Sequence, residues 1–278
     1  MMELFDQSAL RCSKVITNLY STSFSLGIKT LSKEHRDSVY AVYGFVRYAD
    51  EIVDTFYHNN QQELFTRFKE DTYRALNEKI SLNPVLHAYQ LVANRFSFEK
   101  ELTDAFLHSM ELDLKQSEYS TGGYREYIYG SAEVVGLMCL HIFTKGDSEE
   151  YQKLKPFAQR LGAAFQKVNF LRDIRSDYHD RGRIYFPNVN FSHFTEQDKQ
   201  QIEADIQCDF DEALRGIRML PVGARLGVYL AYVYYRQLFR KIKKHTANNI
   251  QETRFRISDS YKVWLLAQCY VLNKLNRI

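Results

Sequence analysis

Two short stretches of this 278-residue chain carry polar side chains at a spacing that suits chemistry. Between Val39 and Asp54, Tyr43, Arg47, Asp50 and Asp54 fall at 0, 4, 7 and 11. At about 100° per residue they form one line along a helix. Gln166, Asn169, Asp173 and Asp177 fall at 0, 3, 7 and 11 and share a line in the same way. A helix that is otherwise apolar nearly all round is buried, so each polar stripe is expected to face a cavity rather than bulk water. Glu51 lies about 100° off the first line and reads as an outer acid. Two such helices face to face bring four carboxylates toward one cavity, where like charges repel unless cations lie between them. Asp50, Asp54, Asp173 and Asp177 with the amide of Asn169 form an oxygen-only donor set, which suits Mg²⁺ or Mn²⁺. Magnesium held by few carboxylates takes further ligands from substrate phosphates, so a phosphate or diphosphate is the expected ligand. Arg47, with Arg181 and Arg183 just beyond the second row, supplies guanidinium forks that match such oxygens. A single D-x-x-x-D on a helix is more often a surface salt-bridging pattern; two of them, each in a four-residue polar line on an apolar helix, favour the metal and diphosphate reading.

The elements that must position these rows are helices. Apolar residues recur at three- and four-residue spacing over 35–56, 61–80, 84–96, 99–117, 124–144, 150–179, 195–218, 221–246 and 258–276, which predicts about nine helices. Asn83-Pro84, Thr121-Gly122-Gly123, Lys145-Gly146-Asp147, Gly182 to Pro187 and Leu220-Pro221 punctuate them. Only 12 Gly and 4 Pro leave too few turn residues for a many-stranded sheet, so the expected class is all-α. With 45% hydrophobic and 14% aromatic residues the chain can fill a large core, and no linker interrupts it, so residues 1–278 are expected to form a single domain. A net charge of +3 gives no reason to expect nucleic acid as a partner. Cys12, Cys139, Cys208 and Cys269 stand singly, as reduced thiols do, with no disulfide or thiolate-zinc spacing. The first residues lack the apolar core of a secretory signal, and the apolar stretches around 134–143 and 263–272 fall short of the ~20 residues that span a bilayer. A cytoplasmic location with peripheral membrane contact at most is therefore expected. The basic run Arg240 to His245 reads as a solvated helix end or as a docking point for an anionic membrane.

These residues resemble the squalene/phytoene synthase family, the head-to-head condensing branch of the isoprenyl diphosphate synthases. Ser21-Thr-Ser-Phe-Ser25 is similar to its serine-rich stretch and Arg47-Tyr-Ala-Asp-Glu-Ile-Val-Asp54 to its first aspartate-rich motif. Ser109-Met-Glu-Leu-Asp113 and Tyr129 to Met138 resemble its middle blocks. Gln166 to Asp177, followed by Arg181-Gly-Arg-Ile-Tyr-Phe-Pro187, is similar to the second aspartate-rich motif and the segment after it. The resemblance implies an isoprenoid synthase helical bundle with a central apolar cavity. It also implies a prenyltransferase that condenses two allylic diphosphates through a cyclopropyl diphosphate. Geranylgeranyl diphosphate going to phytoene, without NADPH, is the expected reaction; two farnesyl diphosphates going to dehydrosqualene or squalene are the alternative. Ser21, Ser23, Arg47, Gln166, Asn169, Arg181, Arg183 and Tyr185 are then expected to bind substrate, with Tyr43 bordering the site. Phe24, Ile28, Tyr40, Val135, Gly136, Leu137, Met138 and Ala163 are expected to line the tail channel. Two departures stand out: Asn248 occupies the place of a family tyrosine, and Ser131-Ala-Glu133 replaces a valine–alanine–glycine run. A non-catalytic relative would show lost aspartates, and all four are present. A di-iron bundle would need Glu-x-x-His pairs, which the chain lacks.

Overall fold

The computed structural model describes residues 2–115, 119–177, 182–187, 189 and 194–278. Its helices are α1 (Met2–Tyr20), α2 (Thr22–Thr30), α3 (Lys33–Asp54), α4 (Gln61–Glu78), α5 (Pro84–Arg95), α6 (Lys100–Lys115), α7 (Thr121–Ile128), a π-helical turn (Tyr129–Glu133), α8 (Val134–Thr144), α9 (Ser148–Arg175), α10 (Glu196–Met219), α11 (Val222–Lys243), α12 (Ala247–Glu252) and α13 (Asp259–Lys274). The all-α reading holds. Local chemistry starts the helices where the sequence breaks. Asn83 accepts from the amides of Val85 and Leu86 ahead of Pro84, Asp147 accepts from Glu149 and Glu150, and Thr195 with Asp198 forms a capping box.

Three helices escape the apolar periodicity: α1, α2 and the short α12. In α1 the buried face is Ala9, Ser13, Ile16 and Thr17, whereas Leu4 and Leu19 point outward. Its inward side chains are small and partly hydroxylic because α1 packs closely on α3; a Cβ on Gly44 would lie 2.9 Å from the Ser13 side chain. Hydrophobicity therefore marks the wrong side of this helix.

The expectation of short apolar stretches is also corrected. Joined through the π turn, 121–144 is one helical run whose most apolar 18-residue window has a mean hydropathy of 1.2, long and apolar enough by that measure to cross a membrane. Some 61% of that window is buried, against α6 and α9 among others, which makes it a core element. The π turn sits where α9 crosses closest: a Cβ on Gly162 would lie 2.7 Å from the Ala132 carbonyl oxygen. The crossing residues Ala132 and Gly162 border a cavity that opens among α2, α3, α8, α9, α10 and α11.

Candidate active site

These elements enclose a cavity of about 720 Å³, within the range of small-molecule sites. Both polar rows line it. Tyr43, Arg47, Asp50 and Asp54 come from α3; Gln166, Asn169 and Asp173 come from α9, with Asp177 just past its end. Ser21, Phe24, Ile28, Val135, Gly136 and Tyr185 also reach the wall. Helical phase decides the rest. The wall takes Ala132, Val135, Gly136, Cys139 and Leu140 from the π turn and α8, which turns Leu137 and Met138 to the opposite side, where Met138 meets the Tyr89 hydroxyl. Gly162 and Phe165 face the cavity, so Ala163 does not; Val39, Val42 and Val46 face it, so Tyr40 is buried elsewhere; Ser23 is off the wall of α2. Arg181 lies outside the described residues. Asn248 is exposed and away from the wall.

Each acidic row carries its own cations. On α3, Arg47 reaches Asp50 at 3.7 Å and pairs with the buried Glu51 one turn on, and its guanidinium lies 4.4 Å from the centre of the Tyr20 ring. On α9, Arg172 bonds both oxygens of Asp173, and Arg254 reaches the same carboxylate at 2.9 Å. The Tyr235 hydroxyl donates to Asn169 Oδ1 at 3.2 Å, and the Asn169 amide lies 3.5 Å from Gln166 Oε1. Burial pushes the Tyr43 hydroxyl up to about 12, with the Ser21 hydrogen bond and Arg47 pulling the other way. Tyr43 therefore stays a neutral hydrogen-bonding group at neutral pH.

Arg183 joins the two rows. Its backbone N–H donates to the Asp177 carbonyl at 2.7 Å, and its Nη1 donates to Asp54 Oδ1 at 2.8 Å. Its Nη2 bonds the Asp113 carbonyl oxygen at 3.0 Å. The Asp113 carboxylate in turn accepts from Tyr127 at 2.6 Å, Tyr119 at 3.1 Å and Tyr185 at 3.3 Å. Tyr185, stacked 4.2 Å from Phe170, is thus both wall and support. Asp113, Arg172, Tyr235, Arg254 and Tyr20 are site residues to which sequence reasoning gave no role. The block ending at Asp113 and the Gln166 to Asp177 block that holds Arg172 were visible signals; Tyr20 and Tyr235 carried none.

The donor set fits a hard divalent cation. It consists of carboxylate and amide oxygens, although among the described residues no group of three or more His, Cys, Asp or Glu side chains stands close enough together to hold a metal ion by itself. Magnesium uses such a site, taking one or two carboxylates and completing its octahedron with water and phosphate oxygens. Away from the rows the wall is apolar, from Leu31, Phe143 and Leu154 to Phe157 and Leu220. Asp173 and Leu154 are 19 positions apart on α9, about 28 Å at the helical rise, which gives the length along which an apolar tail can run.

Comparison with known proteins agrees with the all-α fold. The family model described as squalene/phytoene synthase matches residues 17–260. A 4,4'-diapophytoene synthase of Staphylococcus haemolyticus is 23% identical over 265 residues, covering 87% of this chain and 90% of that one. A chloroplastic phytoene synthase of Narcissus pseudonarcissus is 26% identical over 270 residues; the match takes in 88% of this chain and 62% of the plant protein's length. Among solved structures, a dehydrosqualene synthase in complex with ligand superposes with a TM-score of 0.82 at 24% identity, over 97% of this chain and 98% of the other.

Proposed function

The chain belongs to the squalene/phytoene synthase family, and from that membership we propose that it condenses two molecules of geranylgeranyl diphosphate head to head to give phytoene and two diphosphates. The observation that carries this reading is the confrontation of two aspartate rows, bridged by Arg183, at one end of an apolar cavity. Asp50, Asp54, Asp173, Asp177 and Asn169 would hold Mg²⁺. When bound, it supplies Lewis-acid charge that helps the departing diphosphate.

The chain's own residues do the rest. Arg47, Arg172, Arg183 and Arg254 stand beside the rows before substrate arrives, so guanidinium groups need little reorganisation to meet negative charge that grows as a C–O bond breaks. The bond's electron pair leaves with the diphosphate, and the double bond of the second substrate attacks the allylic cation. Loss of a proton closes a cyclopropyl diphosphate. Its own ionisation, rearrangement and a second proton loss give the linear triene core, a balance that requires no reductant. Phe24, Phe165 and Tyr235 line the cavity with aromatic rings, Phe165 and Tyr235 being stacked 4.0 Å apart. Such rings stabilise passing positive charge and keep water out.

Two features bear on chain length. Ile28 presents modest bulk to the wall, and the long run from Asp173 to Leu154 favours the longer tail. The extensive similarity to the diapophytoene and dehydrosqualene synthases favours the alternative, farnesyl diphosphate. Incubation of the purified protein with Mg²⁺ and each diphosphate, with and without NADPH, decides between them by the hydrocarbon released. Phytoene from geranylgeranyl diphosphate, indifferent to NADPH, is expected. A C30 hydrocarbon formed faster from farnesyl diphosphate would transfer the assignment to the shorter substrate, and no hydrocarbon from either would overturn the reading.

A further inference from the structure

The apolar end of the cavity is closed by large side chains that the core holds on their other sides, with one exception. Leu31, Phe143, Leu154 and Leu220 reach the wall there and are only 2–7% exposed. Phe157 reaches the same wall but is only half-buried. It stands 16 positions before Asp173 on α9, about 24 Å along the helix from the acidic row.

The neighbouring helices make room around this side chain. A Cβ on Gly216 of α10 would lie 2.2 Å from the Phe157 Cβ and 2.7 Å from its Cγ, so the ring already rests against a bare backbone and cannot retract toward α10. On the other flank, a Cβ on Gly136 of α8 would lie 3.1 Å from the Ala158 carbonyl oxygen. With Ala213 one turn before Gly216, the wall beside Phe157 is built from Gly136, Ala158, Ala213 and Gly216. One aromatic ring thus stands among residues that offer almost no side chain. Bulk added or removed beyond its Cβ changes the cavity, because the close-packed backbones behind it leave no other space.

We propose that Phe157 sets the longest isoprenoid tail the cavity accepts, as a specificity-determining residue that acts on tail length and leaves the diphosphate end alone. The proposal rests on the reading of the cavity as a prenyl diphosphate site. A tail that starts at the acidic rows and runs along α9 meets this ring toward the closed end. An apolar pocket discriminates there by volume, and a single methylene too many or too few is worth roughly tenfold or more.

The test reads binding separately from turnover. Geranyl, farnesyl, geranylgeranyl and geranylfarnesyl thiolodiphosphates, whose carbon–sulfur bond resists ionisation, are titrated into the full chain with Mg²⁺ in a calorimeter. Phe157→Ala should raise the affinity for the geranylfarnesyl compound relative to the farnesyl one by about tenfold or more, and Phe157→Trp should lower that for the geranylgeranyl compound relative to farnesyl by about as much. The geranyl compound, with a tail half as long as geranylgeranyl, should bind both variants as it binds the parent, which general damage to the site would not allow. Affinity ratios in Phe157→Ala equal to those of the parent would overturn the proposal and leave the condensing activity standing. Altered ratios in a protein that releases no hydrocarbon from the natural diphosphates would do the reverse, supporting the tail limit and overturning the condensation. A parent that binds none of these compounds would overturn both.

Discussion

The two sides of α9 carry similar charges to opposite ends. On the side toward α10, Lys167 donates to Asp209 at 2.6 Å and also bonds Asp205, while Arg160 reaches Asp209 at 2.9 Å. Asp209 is fully buried, and its charge is answered there by the protein itself. On the cavity side, Asp173 and Asp177 lie on the wall of a hollow that they share with Asp50 and Asp54. Arg172 and Arg254 steady Asp173, but the row still faces space large enough for a ligand. A closed charge network fixes how two helices dock; a row beside a cavity, on the proposed reading, would meet an exogenous cation and anion. Residue type does not separate the two cases, since each is Asp with Lys or Arg. The presence of a void does.

That contrast can be broken by mutation. The largest effect is expected at the cavity. Asp50→Asn and Asp173→Asn should each lower turnover by roughly 10³-fold or more with helical content intact, read by hydrocarbon formation and far-UV circular dichroism. Next comes Arg183→Lys, which keeps the charge but cannot hold Asp54 and the Asp113 carbonyl together through one fork. A loss of roughly 10²-fold in kcat/KM is expected from misplaced rows. On the other side of α9 the signature reverses. Asp209→Asn should cost about 2 to 3 kcal/mol of stability in denaturant melts, because Lys167 keeps Asp205 and Arg160 can turn to water. Activity per folded molecule should be retained. Activity loss without destabilisation in Asp209→Asn would dissolve the distinction between the two faces.

The smallest effect is a slope with pH. Burial pushes the Asp113 carboxyl from 3.8 up to about 6, against the pull of Arg183 and Tyr127. Across that interval the folded chain holds a proton that the unfolded chain has released. This contribution to stability is therefore full below the unfolded value and is lost as pH rises through about 6. Asp113→Asn should remove it, so the parent should lose melting temperature relative to the variant as pH climbs from 4 through about 6. Parallel curves would show that the aspartate does not titrate there.

How much of the site was readable beforehand follows from the range of each signal. The rows on α3 and α9 were legible because helical spacing is local arithmetic and each polar stripe stands out on an apolar helix. Helix α8 offered no such marker. It is apolar all round, so nothing in it distinguished the side of Val135, Gly136 and Cys139 from that of Leu137 and Met138. The π turn before it shifts the register again. On α1 the inward face is small and hydroxylic, and hydrophobicity pointed outward.

Helical class, the two acid rows and an oxygen-only donor set were thus determined by the sequence itself, through short-range periodicity and side-chain chemistry. Only the tertiary structure decided that the rows share a cavity, that Arg183 spans them above an Asp113 held by three tyrosines, and that Arg254 and Tyr235 arrive from distant segments of the chain. The physical reason is that a cavity wall is assembled by packing between elements far apart in the chain. The phase of an apolar helix within that packing is set by its neighbours' shapes, which no local pattern contains.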